Sequence, residues 1–165
     1  MQLNIIILFL ATFFTGLMAG LFFTWSFSVT RGLSRLSDTN YIEAFQSLNK
    51  AILNPAFALV FWGSILSLIL AAILHYQQPS SGNFWYLLTA TIVYLIGSIV
   101  VTFAGNIPLN NSLEKFQLNS SSVDEIKIKR TSFEGKWNSL NMIRTISSSL
   151  AFILLIIACI NYYLK

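Results

Sequence analysis

Four long stretches without a single charged side chain decide what this chain can fold into. Residues 3–30, 51–74, 77–113 and 145–164 contain no Asp, Glu, Lys or Arg. Each can cross a hydrocarbon core of about 30 Å, which takes roughly 20 apolar residues as a helix. Helix is forced there, because backbone amides and carbonyls in lipid find no water and must pair within their own segment. Composition agrees: 55% of the 165 residues are hydrophobic and 10% charged, against about 25% charged in a soluble domain. Four spans use about half of the chain, so residues 1–165 are expected to form one all-α, integral membrane domain, an up-down-up-down four-helix bundle.

Local signals set the expected limits at Asn4–Val29, Pro55–Tyr76, Asn83–Ala104 and Asn138–Tyr163. Asn54-Pro55 is an N-cap followed by proline at the first helical position. Gln78-Pro79-Ser80-Ser81-Gly82 reads as a turn, making spans two and three a hairpin. Pro108 lacks an amide hydrogen and should kink or end span three, freeing carbonyls near Ala104. Trp85, Tyr86, Tyr162 and Tyr163 fit an aromatic belt at one membrane face, and Trp25 and Trp137 one at the other. The first residues, Met1-Gln2-Leu3-Asn4, lack the positive segment of a secretory signal, so the first span is read as retained.

Ten Lys and Arg against six Asp and Glu give a net charge of +4. In a soluble protein this could suggest nucleic acid. Here the basic residues sit in the connections, where they set topology and meet lipid headgroups, so membrane lipids and not nucleic acid are the implied partners. Arg31, Arg35 and Lys50 lie in the first connection, and Lys115, Lys127, Lys129, Arg130 and Lys136 in the third. Those two connections are expected to be cytoplasmic and both termini outside. Asp38–Lys50 carries Tyr41, Phe45 and Leu48 on one helical stripe, which fits a short helix at the interface or packed under the bundle. Ser122 and Glu125 have capping-box spacing for a helix leading into span four. Thr12, Gly16, Gly20, Thr24 and Ser28 recur every four residues on span one. This small-residue ridge suits close packing within the bundle more than a homo-oligomer contact, and Ser147, Ser148 and Ser149 can serve the same end.

Alternating topology brings the end of span one, the start of span two, the end of span three and the start of span four to one face. The unusual polar residues gather there: Gln46, Asn49, Asn54, Asn106, Asn110, Asn141 and Arg144. Trp137, Asn141, Arg144 and Ser148 share a stripe at i, i+4, i+7 and i+11. Arg144 can be a side chain snorkelling to the headgroups, or the cationic floor of a small-molecule pocket, with Glu43 or Glu134 as partner. One His and one Cys on separate spans cannot make a bis-histidine haem or an ordinary zinc site. Cys159 has no partner for a disulfide, no nucleotide loop or nucleophile elbow occurs, and the spans hold no carboxylate relay of the kind transporters use.

Gly16-Leu17-Met18-Ala19-Gly20-Leu21-Phe22-Phe23, Gln46 with Asn49 and Asn54-Pro55, Asn106-Ile107-Pro108-Leu109-Asn110, and Trp137 through Asn141 to Arg144-Thr145 resemble the anthrone oxygenase-like family of membrane proteins. The likeness covers essentially the whole chain, and the Asn-x-Pro-Leu-Asn stretch is its most specific mark. Departures at Arg31, where relatives often have proline, and at Leu140, where an aromatic is common, bear on the substrate. The resemblance implies oxidation of an anthrone or another apolar aromatic molecule by molecular oxygen with no cofactor, metal or flavin, in a bacterial inner membrane. Such chemistry deprotonates an acidic C–H or phenol and stabilises the enolate. On that reading Arg144, Asn141 and Asn106 hold the oxyanion and Glu43 is the base. Asn110, Asn49, Gln46, Trp137, Trp25 and Phe22, with Phe23, bind the ring system. A non-catalytic binding or transport module and an accessory subunit are the competing functions.

Overall fold

The computed structural model describes residues 2–76 and 83–163, helical almost throughout. Span one is α1 (Gln2–Thr24), a π-helical turn (Trp25–Val29) and α2 (Thr30–Leu33) in one unbroken rod. The connecting α3 (Asp38–Ile52) precedes span two, α4 (Pro55–His75). Span three is α5 (Asn83–Tyr94), two π-helical stretches (Leu95–Val100 and Thr102–Asn106) and α6 (Ile107–Glu114). A 3₁₀ turn (Leu118–Ser120) leads to α7 (Val123–Tyr163), which contains span four. The four candidate spans are long and apolar enough to cross a membrane. The turn read at Gln78–Gly82 lies outside the described residues.

The caps explain where these helices start. Asn54 accepts a hydrogen bond from the Phe57 amide at 2.9 Å, with Pro55 behind it. Ser37 accepts from the Asn40 amide at 3.3 Å. The Ser122 hydroxyl accepts from the Glu125 amide at 3.3 Å while Glu125 Oε2 accepts from the Ser122 amide at 2.7 Å, a reciprocal box. Past that box nothing breaks α7 for 41 residues. At 1.5 Å per residue it is about 60 Å long, about twice the hydrocarbon thickness, so it projects well beyond the membrane.

Packing is that of a square bundle: α1 lies against α4 and α7, and α5 against α7 and α4. Met18, Leu68, Leu87, Tyr94 and Leu155 fill the bundle core. A second cluster, with Tyr41, Ile42, Phe45, Leu113, Phe133 and Trp137, fixes α3 under the bundle against α6 and α7. Packing beneath the helices is thus the use made of the α3 stripe. Arg130 latches this end. Its guanidinium donates to Asp38 and Glu134 carboxylates and to the Leu36 and Ser34 carbonyls, all at 2.8–2.9 Å, and lies over the Tyr41 ring at 4.5 Å. Burial first, then the Glu134 charge, holds the Tyr41 phenol above the usual tyrosine range, with Arg130 pulling the other way.

Several sequence expectations need correction. The helices of spans one, three and four continue past Val29 and Ala104 and back beyond Asn138, to Leu33, to Glu114 and from Val123, because no residue there breaks the helical backbone. Pro108 does not end span three. The helix widens ahead of it, the Ile107 amide reaching the Thr102 carbonyl five residues back, and Pro108 sits where α6 restarts and needs no donor. Of the small-residue ridge only part is used. A methyl at Gly16 would meet the Phe152 ring at 2.8 Å, but nothing lies within 4 Å of Gly20, and Thr24 and Ser28 are exposed. The tightest glycine contact is elsewhere: a Cβ at Gly97 would collide with Ser147 Cβ. Trp25 and Trp137 do not form a belt; they pack against one another with ring centres 5.1 Å apart and planes tilted by 50°, Trp137 buried and Trp25 partly so.

Candidate functional site

A cavity of about 540 Å³ opens at the end of the bundle that carries α3. Its walls come from all four spans and from α3, and each wall is placed by a local feature. Trp25 of span one and Thr102 and Asn106 of span three line the cavity from within π turns, and Phe22 and Asn110 line it from the α-helix just before and just after them. A π turn makes one i+5 step, so it adds a residue to the turn and leaves a carbonyl without its helical donor; such turns occur often at functional sites. The Phe22 carbonyl, one turn ahead of the π turn, accepts two donors from span four, Asn141 Nδ2 at 3.2 Å and Thr145 Oγ1 at 3.0 Å.

Arg144 forms the cationic wall. It is 8% exposed, donates through Nη2 to Asn141 Oδ1 at 2.7 Å and through Nη1 to Thr102 Oγ1 at 3.4 Å, and lies over the Phe22 ring at 4.5 Å and the Trp137 ring at 5.4 Å. Its buried Nε has no acceptor. No carboxylate pairs with it among the described residues. Glu134 is taken by Arg130, and Glu43 is exposed on the outer side of α3. Such a charge in a low-dielectric surrounding costs several kcal/mol unless an anion compensates it. The two ring faces return only about 2 kcal/mol each at best.

Asn106 is the second anomaly. It is 1% exposed, and neither its amide nitrogen nor its amide oxygen has a hydrogen-bond partner. An orphaned buried amide forfeits roughly 1–3 kcal/mol for each unmade bond. Both orphaned groups line the same cavity. Around them the surface is aromatic: Trp25, Phe45 and Trp137 pack with centres 4.9–5.5 Å apart, and Phe61 and Phe103 lie 6.2 Å apart across spans two and three.

Arg144, Asn106, Asn110, Asn49, Trp137, Trp25 and Phe22 are therefore brought together around one space. Asn110 spends its oxygen on the Trp137 indole N–H at 2.8 Å. Four of the expected site residues stand elsewhere. Asn141 lies behind the cavity, its amide committed to Ser26, Phe22 and Arg144, so it orients the arginine and has no free donor for an oxyanion. Gln46 Nε2 donates to the Leu113 and Phe116 carbonyls at 2.8 and 3.0 Å, capping α6. Glu43 does not line the cavity. Phe23 is exposed and packs on Phe27 instead. Thr102, Phe45, Phe61, Trp62 and Phe103 line the cavity without having been singled out. Phe57 and Phe61, one turn apart on the helix that Asn54-Pro55 starts, carried a readable signal; Thr102 carried none. Among the described residues no three His, Cys, Asp or Glu side chains gather to hold a metal ion.

Fold and site together define a four-span helical membrane protein with an aromatic cavity built around an uncompensated cation. The sequence pattern of the anthrone oxygenase family matches residues 47–154, and the chain belongs to that family. No curated protein and no solved structure matches it.

Proposed function

We propose that the protein is a cofactor-independent membrane oxygenase acting on an aromatic molecule that ionises to a phenolate or enolate, at a site on the cytoplasmic face. One observation carries this reading: Arg144, buried and without a carboxylate, lines the same cavity as the unpartnered Asn106 amide. A preorganised cation and amide beside an aromatic wall favour an oxyanion over its neutral acid, as oxidation of an activated methylene by O2 requires. Loss of a proton gives the enolate, whose carbon takes up O2 and a proton as a hydroperoxide. Loss of water then leaves the ketone, so one O2 is consumed, one oxygen atom is retained and one leaves as water. Family membership supports the reaction class. The excess of basic residues in the α3 connection and in the third connection supports the cytoplasmic assignment.

A second reading, a binding module for the same anionic aromatic, is favoured by a different observation: no carboxylate or imidazole lines the cavity. On the oxygenase reading the proton leaves to water and Arg144 lowers the cost of its departure. Oxygen uptake by purified protein given a hydroxylated anthrone, with Arg144→Gln at matched folding as comparison, separates the two. Turnover that falls at least tenfold in the variant is expected; no uptake above buffer alongside retained binding leaves the binding module.

A further inference from the structure

The exposed part of the cavity lining is all on one side. Leu53 is 75%, Trp62 50% and Phe103 48% exposed, and Ala58 between them is exposed as well, while Phe22, Phe45, Trp137, Asn106 and Arg144 at the back are buried. From Pro55 to Trp62 is seven residues of helix, so the exposed rim runs about 10 Å along span two from its first turn. It lies between α4 and the end of span three, on the outer surface of two apolar spans. At its deep end the Trp62 and Phe103 rings come within 6.2 Å and close it. Toward the water, α3 and the Trp25, Phe45 and Trp137 rings cover the cavity. The opening therefore lies on the flank of the bundle, running from the α3–α4 connection between two spans apolar enough to cross a membrane.

We infer that the ligand is an amphiphile held partly in the bilayer. Its acidic head sits against Arg144 and its apolar tail leaves through the slot between α4 and span three into the leaflet. The head chemistry follows from the two orphaned groups. Arg144 asks for an ionised oxygen, and Asn106, with a bare donor and a bare acceptor on one amide, asks for a neighbouring group that both gives and takes a hydrogen bond, as a hydroxyl does. The tail follows from the slot, whose apolar rim would otherwise expose the polar interior to lipid. The inference rests on the cavity being a ligand site and adds the class of ligand and its placement.

Salicylate, an ionised oxygen beside a hydroxyl, and its 5-dodecyl derivative separate these statements. The full chain in nanodiscs is loaded with tritiated salicylate and displaced with each compound, so that partitioning into the disc cancels between variants. The slot predicts that Ala58→Trp, and independently Leu53→Trp, weaken the dodecyl compound at least tenfold and change salicylate less than twofold. Leu59→Trp, on the exposed face of α4 away from the cavity, should change neither. Arg144→Gln should lose both compounds. If both slot variants weaken the two compounds equally, or neither, the slot placement is overturned while the cavity site stands. If wild type retains no salicylate, or Arg144→Gln retains it fully, the ligand site fails and the inference with it.

Discussion

Replacing Gly97 with alanine tests the packing that holds the cavity's back wall. The added methyl would collide with Ser147 Cβ and lie 2.6 Å from its hydroxyl oxygen, where ordinary contact begins near 3.4 Å. Ser147 cannot swing away. Its hydroxyl is held by the Ile143 carbonyl at 2.8 Å, the Arg144 carbonyl at 3.2 Å and Ser98 Oγ at 3.0 Å, and its Cβ is fixed to the helix. Spans three and four must therefore part by close to 1 Å. Overpacking of this kind costs about 1–3 kcal/mol, against which alanine returns up to about 1 kcal/mol of helix propensity, for a net loss of about 0–2 kcal/mol. The separation should also stretch the long Arg144–Thr102 contact and weaken ligand retention. The assay is reversible unfolding in mixed micelles for Gly97→Ala, Ser147→Gly and the pair. A clash at this spot predicts a favourable coupling of at least 1 kcal/mol in the double variant. Coupling within about 0.3 kcal/mol of zero would refute the contact. Gly20→Ala, whose added methyl meets nothing within 4 Å, serves as the clash-free control and should stabilise by up to about 1 kcal/mol.

Four further outcomes are expected. Asn141→Leu should destabilise the fold by about 1–3 kcal/mol, since it removes the shorter of Arg144's two bonds and one bond each from the Phe22 carbonyl and Ser26, which keep Thr145; micelle unfolding measures it. Gln46→Ala should cost about 1–2 kcal/mol by uncapping α6 and leave salicylate retention within twofold, which separates a structural from a ligand-binding glutamine. Because the Tyr41 phenol is held above its unfolded value, its contribution is complete below about pH 10 and is lost as pH rises further. Tyr41→Phe should flatten the stability profile there, as an alkaline titration of unfolding would show. Arg130→Lys should loosen the α3 end measurably in amide exchange, because an ammonium cannot reproduce four directed bonds at once.

The parts of this fold that could be read from residues are those set by solvent and by neighbours in sequence. Charge-free runs located the spans because lipid rejects charge whatever the tertiary packing. Asn54-Pro55 and Ser122 with Glu125 located helix starts because a cap is closed within four residues. The polar gathering at one face was legible from topology alone. Which amide does what was not. Asn106, Asn141 and Gln46 are the same kind of group, and only the packing of span one, α6 and Arg144 decides that Asn141 and Gln46 are saturated while Asn106 is bare. The ridge from Gly16 to Ser28 failed for a related reason: four-residue spacing does not say which turns meet a neighbouring helix, so Gly20 and Thr24 lie open within regular α1, and only Ser28 falls in the π turn that shifts the register.

Each π turn can also be regarded as one inserted residue that the helix has absorbed without breaking. Removing a single residue from the stretch Thr102–Asn106 would restore ordinary winding and rotate everything beyond it by about 100°. The hydropathy profile of span three would hardly change, and it would still cross the membrane. Asn110, however, would turn away from Trp137. Two chains with indistinguishable membrane topology could thus differ wholly in whether they possess this cavity, so the length of that stretch, counted in residues, discriminates between them better than hydrophobicity does.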